Sequence, residues 1–251
     1  AAIGTALVDI GYRFGAVVMD AAHFLPQSRP RLFIVASNAA RSLPIRLTTP
    51  QPDPVWHPPN LVDAYRKLSQ QSQSAWVWWN LPAPPLRTST LADLIEEEPQ
   101  GIAWHTAVET SRLLELMSPI NRRKVEQAKH AKRRMVGCIY KRTRQVGHGE
   151  RAQRAEIRFD DVAGCLRTPA GGSSRQAIMI IDGTKVRSRL LSPREAAHLM
   201  GLPENYKLPS NYNEAYHLAG DGVVVPVVRF LSTHLLEQLL LLKEEREMEA
   251  A

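Results

Sequence analysis

An α/β fold is predicted for this chain by three features of its sequence. Two short continuous apolar runs, Gly15–Asp20 and Arg31–Ala36, read as buried strands. Apolar residues recur at helical spacing over Ile3–Ile10, and again at Val224, Val228, Leu231, Leu235, Leu239 and Leu242. Ser192-Pro-Arg-Glu195 is a capping box with proline at the first helical position, so a helix should begin there.

Taken in order, the first helix stops at Gly11 and a loop with Pro26 and Pro30 joins the two strands. Two strands and one helix make a scrap of sheet with two exposed edges, which something outside this chain, or missing from it, should cover. From about Leu43 to Arg87 prolines cluster around Trp56 and Trp76-Val-Trp-Trp79. This reads as loops packed over an aromatic cluster, since such prolines exclude long regular elements. Thr106 to about Arg134 reads as helical with a break near Pro119. Glu156–Phe159 and Ala177–Ile181 read as strands around a glycine-rich loop, and the helix capped by Ser192 should run to Met200, where Gly201 and Pro203 end it.

Of the 251 residues, 44% are hydrophobic and 23% charged, the balance of a soluble protein of one or two domains. Cys138 and Cys165 are too few for a disulfide framework and suit a reducing cytosol. They lack CxxC or paired-histidine spacing, so no metal site is expected, and both read as small core residues. No signal segment is visible. The most apolar run, Leu235–Leu242, is short and broken by Glu237 and Gln238, so no membrane span is expected. The chain begins in what looks like mid-fold, which suggests a fragment, a subunit or a trimmed piece.

Charge is concentrated. Between Asn121 and Arg154 twelve lysines and arginines face only Glu126 and Glu150, a local charge of +10 in a chain of net +7. Such a patch attracts polyanions, DNA first among them; it equally suits a solvated basic face with no partner.

Three segments, in this order, resemble the bacterial cytosine-5 DNA methyltransferases. The first runs from Gly11-Tyr12 through Asp20-Ala-Ala-His-Phe24 to Pro26-Gln-Ser-Arg-Pro-Arg31 and Phe33-Ile-Val-Ala36, with Gln27, Arg29 and Arg31 matching the family's QxRxR motif. The second is Arg187–Ala197 with Leu199-Met-Gly-Leu-Pro203, and the third is Gly220-Asp-Gly-Val-Val-Val-Pro-Val-Val-Arg229. Together they cover under a third of the chain, at both its ends. A fourth segment, Cys165–Gln176, looks like the end of the family's target-recognition region.

The resemblance implies chemistry for each. Methylating C5 requires the cytosine to leave the duplex and enter a pocket. Addition of a nucleophile at C6 then places negative charge towards O2 and N3, which preorganised cations stabilise. Arg31 matches the arginine that approaches the base and Arg29 the one that supports the pocket, although arginines alternating on a strand can equally face solvent. Asp221, Gly222 and Val223 match the turn against the cofactor, S-adenosylmethionine. Asp221 stands where the family usually has Asn, losing the amide's donors, and helix capping is its other reading. Gln27, Arg167, Thr168, Gly171, Gly172, Ser173, Ser174, Arg175 and Gln176 are the expected DNA contacts, because glycines let backbone approach phosphates and Arg or Gln reads base edges; hydroxyls satisfying their own turn are the alternative.

The family's glycine-rich cofactor loop, Pro-Cys nucleophile and Glu-Asn-Val segment find no match in these residues. The expected architecture is therefore the C-terminal part of a Rossmann-like methyltransferase. Residues 1–45 would end the catalytic sheet, 46–218 would form the target-recognition domain, and 219–251 would return as a helix to the catalytic domain. The expected partners are double-stranded DNA and an N-terminal catalytic segment or subunit, in the cytoplasm of a bacterium or phage. A non-catalytic DNA-binding module, left after loss of the catalytic half, is the alternative.

Overall fold

The computed structural model describes residues 2–146, 150–168 and 175–241. Its elements, in chain order, are α1 (Ala2–Asp9), β1 (Tyr12–Asp20), β2 (Pro30–Asn38), α2 (Pro59–Arg66), α3 (Gln70–Ser74), α4 (Ala107–Glu115), α5 (Pro119–Lys129), β3 (Met135–Val146), β4 (Glu150–Arg158), β5 (Ala177–Asp182), β6 (Lys185–Leu190), α6 (Pro193–Leu199), α7 (Tyr212–Asp221) and α8 (Val225–Leu231). A π-helical turn, Ser232–Leu236, continues α8. The fold is mixed α/β, and the chain divides into two compact units.

The first unit holds residues 1–20, 30–85 and 226–251. Gly11, at φ +79°, ends α1 and turns the chain into β1, which pairs antiparallel with β2. The outer edge of β1, expected to need cover from outside the chain, is covered by residues of the chain itself. Phe14 N donates to Ala75 O, Val77 N to Phe14 O and Val18 N to Trp56 O, at 2.7–3.0 Å. Gly15 permits this approach, since a Cβ there would lie 1.9 Å from Val77 O. The proline-rich segment therefore belongs with β1 and β2 here, whereas the sequence reading grouped 46–85 with the following domain. Two of its prolines, Pro58 and Pro59, start α2 rather than preventing helix. The aromatic cluster joins Trp76 to Phe14, Tyr65 and Trp78, with Trp56 and Trp79 fully buried. Trp56 also packs on Phe230, beyond α8 start.

The second unit holds residues 21–29 and 86–225. Its sheet has the order β4-β3-β5-β6, every pair antiparallel. Leu113, Met117, Val125 and Ala128 of the α4–α5 region form one core with Ile139, Ala155, Ile157, Met179 and Ile181 of the sheet. Each of the larger apolar side chains among them contributes roughly 2 kcal/mol of burial. Both helices are capped as the physics prefers: Thr106 and Glu109 form a capping box, and Ser118 precedes Pro119. The Ser192 box is present too, and α6 follows it.

By length and composition alone, Tyr212–Leu241 is apolar enough to cross a membrane, at mean hydropathy 1.4, which the run-length reading missed. The chain leaves the helix at Gly222, and 22% of the apolar window is buried; Tyr216, Ala219, Val227, Leu231 and Leu235 face protein, while Val228, Leu240 and Leu241 are exposed.

Candidate functional site

In the second unit, residues 26–29 run as an extended loop beside 163–166. Ala163 N donates to Pro26 O at 2.7 Å and Ser28 N to Ala163 O at 2.8 Å. This pairing aims Gln27 and Arg29 into the interior, at 0% and 3% exposure. The Gln27 amide donates to Leu199 O at 2.5 Å and to Met200 Sδ at 3.5 Å, and its oxygen accepts from Leu166 N at 3.3 Å. Gln27 thus ties the end of α6 to the 166 strand-like segment. It was expected to face DNA; buried with its amide occupied on both ends, it instead builds the scaffold.

The Arg29 guanidinium joins three further points. Nη1 donates to Leu166 O at 2.8 Å and touches Cys165 Sγ at 3.5 Å. Nη2 donates to Gly220 O and Gly222 O, both at 2.8 Å. A planar fork with donors on both nitrogens suits this task, which a point charge could not perform. Gly220 lets the two segments touch: a Cβ there would lie 2.5 Å from Thr168 N and 2.6 Å from the Arg167 carbonyl carbon. Met200 O accepts from Val225 N at 2.9 Å, fixing the far end of the same turn.

The turn itself presents side chains outward. Asp221 ends α7 rather than capping the last helix, and its exposed carboxylate lies 3.3 Å from His217 Nδ1. Gly222 caps α7 in extended backbone and Val223 is 49% exposed.

The remaining DNA candidates separate. Arg167 is exposed and Thr168 half-buried. Arg175 lies over the Tyr212 ring at 5.5 Å and donates to Asn213 Oδ1, so it is docked on α7. Gln176 is corrected like Gln27. At 3% exposure, its amide donates to Gly164 O and accepts from Cys138 Sγ, both at 2.9 Å. Gly171, Gly172, Ser173 and Ser174 lie outside the described residues, as does Leu242 of the helical seam.

Cys138 is fully buried, and burial pushes its thiol up to about 11, so it carries no thiolate for chemistry near neutrality. Tyr216, whose hydroxyl accepts from Gln176 N at 3.2 Å, is raised by burial as well. A buried ion pair braces α6: Arg189 donates to both Glu195 oxygens at 2.6 and 2.8 Å, each side chain at 0% exposure. Trp104 lies against the guanidinium groups of Arg187 and Arg189, at 4.3 and 4.9 Å.

Arg31 lies in the first unit, on β2 opposite Met19, exposed, with Nη1 donating to Pro30 O at 2.9 Å.

The basic stretch, which sequence reading treated as one patch, divides by use. Arg122 donates to Leu114 O and Glu115 O at the end of α4, and Lys124 to Ile157 O. Lys129 and Arg134 pair with Glu126 and Glu97. Arg123, Lys132 and Arg133 are exposed with no side-chain bond among the described residues; Lys141, Arg142 and Arg144 lie on β3, and Arg151 and Arg154 on β4.

Comparison with known proteins places these features in a family. The family model described as C-5 cytosine-specific DNA methylase matches residues 2–237. The type II methyltransferase M1.ScrFI of Lactococcus lactis subsp. cremoris is 36% identical over 61 residues, covering 24% of this chain and 16% of that protein. The type II methyltransferase M.MspI of Moraxella sp is 23% identical over 241 residues, 94% of this chain and 40% of that protein. The chain thus spans well under half the length of these relatives. The S. pombe Dnmt2 methyltransferase structure aligns with 94% of this chain and 60% of its own, with TM-score 0.50 and 14% identity, a likeness of fold. With residues 2–237 matched by that family's model, the chain belongs to the C-5 cytosine-specific DNA methylase family.

Proposed function

We propose that these residues form the C-terminal portion of a DNA (cytosine-5-)-methyltransferase, supplying DNA recognition and part of the base and cofactor pockets. One observation carries the reading: Gln27 and Arg29 bind Leu199, Leu166, Gly220 and Gly222, so motif segments far apart in sequence meet through two buried side chains. A buried charge spent on ordering one turn is costly unless that turn does work.

S-adenosylmethionine supplies the methyl group when bound. The turn fits it: Arg29 fixes the carbonyls of Gly220 and Gly222, and Asp221 and Val223 project outward. Asp221 would accept from donors on the cofactor, and Val223 would offer an apolar face. Arg31 would stabilise charge on the flipped cytosine as a nucleophile adds at C6. Exposed Arg167, Thr168 and the glycine-rich residues after them would contact DNA.

Neither Cys138 nor Cys165 follows a proline, and Cys138 is buried as a neutral thiol. The thiol that attacks C6 would therefore come from a segment carrying Pro-Cys, acting with these residues in the cytoplasm of a bacterium or phage. The test is a duplex-DNA titration of the 251-residue chain at two salt concentrations. Affinity should fall steeply with salt, because neutralised phosphates release counterions. Unchanged affinity, or no binding, contradicts it.

A further inference from the structure

The sheet of the second unit contains a feature that its core does not explain. β3 pairs with β5 only over Met135–Ile139, yet continues to Val146 paired with β4 alone. On the outer side of β4, Ala155 N donates to Leu116 O and Ile157 N to Asn121 Oδ1, whereas 150–154 make no such bond among the described residues. Lys141–Val146 and Glu150–Arg154 are therefore a two-stranded ribbon projecting about 20 Å beyond the sheet, at 3.4 Å per residue. A bare ribbon is marginal by itself and exposes backbone edges, so its persistence in the chain calls for a partner.

Its two faces differ. Successive side chains alternate, and cross-strand partners share a face. On one face Arg142 and Arg144 both reach Glu156, beside Arg154, so much of that charge is spent within the ribbon. The other face carries Thr143 opposite Gln153 and Gln145 opposite Arg151. All four are exposed, and none makes a side-chain bond among the described residues.

Two strands side by side fit the major groove of B-form DNA, and Arg, Gln and Thr are side chains whose donors and acceptors discriminate base edges there. The geometry points to this ribbon as the sequence reader of the chain, entering the major groove with Thr143, Gln145, Arg151 and Gln153 on base edges. Arg154 on the opposite face and Arg123 and Arg133 elsewhere serve the phosphates. The inference rests on the DNA-recognition reading above and extends it, since that reading assigned base contacts to the loop after Arg167.

The experiment selects from a pool of duplexes with a randomised centre, using the 251-residue chain and two variants, Gln145→Ala/Gln153→Ala and Arg151→Ala. These positions are exposed, and circular dichroism checks that each variant folds. The wild-type chain enriches a motif and shields guanine N7 within it from dimethyl sulfate. Each variant lowers preference for that motif on the order of tenfold while still binding the unselected pool. Arg123→Ala/Arg133→Ala weakens all binding and keeps the motif. Variants that enrich the wild-type motif undiminished overturn the ribbon's role, as does wild-type binding without enrichment; both leave DNA binding standing. Failure of the wild-type chain to bind any duplex overturns the underlying reading instead.

Discussion

Arg29 Nη2 lies 2.8 Å from Gly220 O, and the same nitrogen reaches Gly222 O, while Nη1 holds Leu166 O. One guanidinium thus fixes both the proposed cofactor turn and the segment leading into the proposed DNA loop. Arg29→Leu should cost on the order of 3 kcal/mol in urea denaturation, since buried carbonyls lose charged donors. Arg29→Lys should recover only part, because one ammonium cannot span the fork's acceptors. Gly220→Ala should cost about 2 kcal/mol by forcing the turn off Thr168 backbone. Wild-type stability in either arginine variant would contradict the clamp.

Cys138 should resist alkylation in the native chain. Its thiol, raised to about 11 by burial, carries very little thiolate at pH 8, whereas half-buried Cys165 is more accessible. Mass spectrometry after brief iodoacetamide treatment should find Cys138 modified only in denaturant. Its raised folded value also means that stability present below pH 9 is lost as pH rises towards 11.

Acid should destabilise the first unit through His57. Burial depresses this imidazole below 6.5, and its Nδ1 accepts from Asp53 N at 2.9 Å, a bond only the neutral ring can make. A depressed folded value gives stability that is full above pH 6.5 and lost as pH falls through the folded value. His57→Asn keeps an acceptor for Asp53 N without titrating there. The thermal midpoint of the wild type should drop between pH 7.5 and 5.5, and the variant's should drop less; equal slopes would contradict this.

What was legible in the sequence was local. Gly11 after an apolar helix, the runs that became β1 and β2, and the Ser192 capping box all signal through neighbouring residues. The β3–β4 ribbon was missed because Lys141, Arg142, Thr143, Arg144 and Gln145 have no apolar period, having no core to face. β6 was missed since Arg189 is charged; its burial depends on Glu195 and Trp104. For α7 a signal existed: Asn211, with Glu214 three residues on, is the N-cap. Gln27, Arg29 and Gln176 were legible as candidates but not as scaffold, since their partners lie 12 to 193 residues away.

Arg31 should act on the methyl-transfer step rather than on DNA affinity. In single-turnover methylation with the Pro-Cys segment supplied, Arg31→Ala should lower the saturated rate on the order of a hundredfold. Arg31→Lys should rescue only partly. Arg133→Ala, at an exposed position after α5, should weaken binding with little change in that rate. A loss of affinity alone in Arg31→Ala would make it a phosphate contact.

Methyl transfer itself is the most direct test. Duplex DNA containing the enriched motif and labelled S-adenosylmethionine are incubated with the 251-residue chain, with and without a segment bearing Pro-Cys from a family member. The account predicts label on cytosine C5 only when both are present. Transfer by these residues alone, abolished by Cys165→Ser, would contradict it.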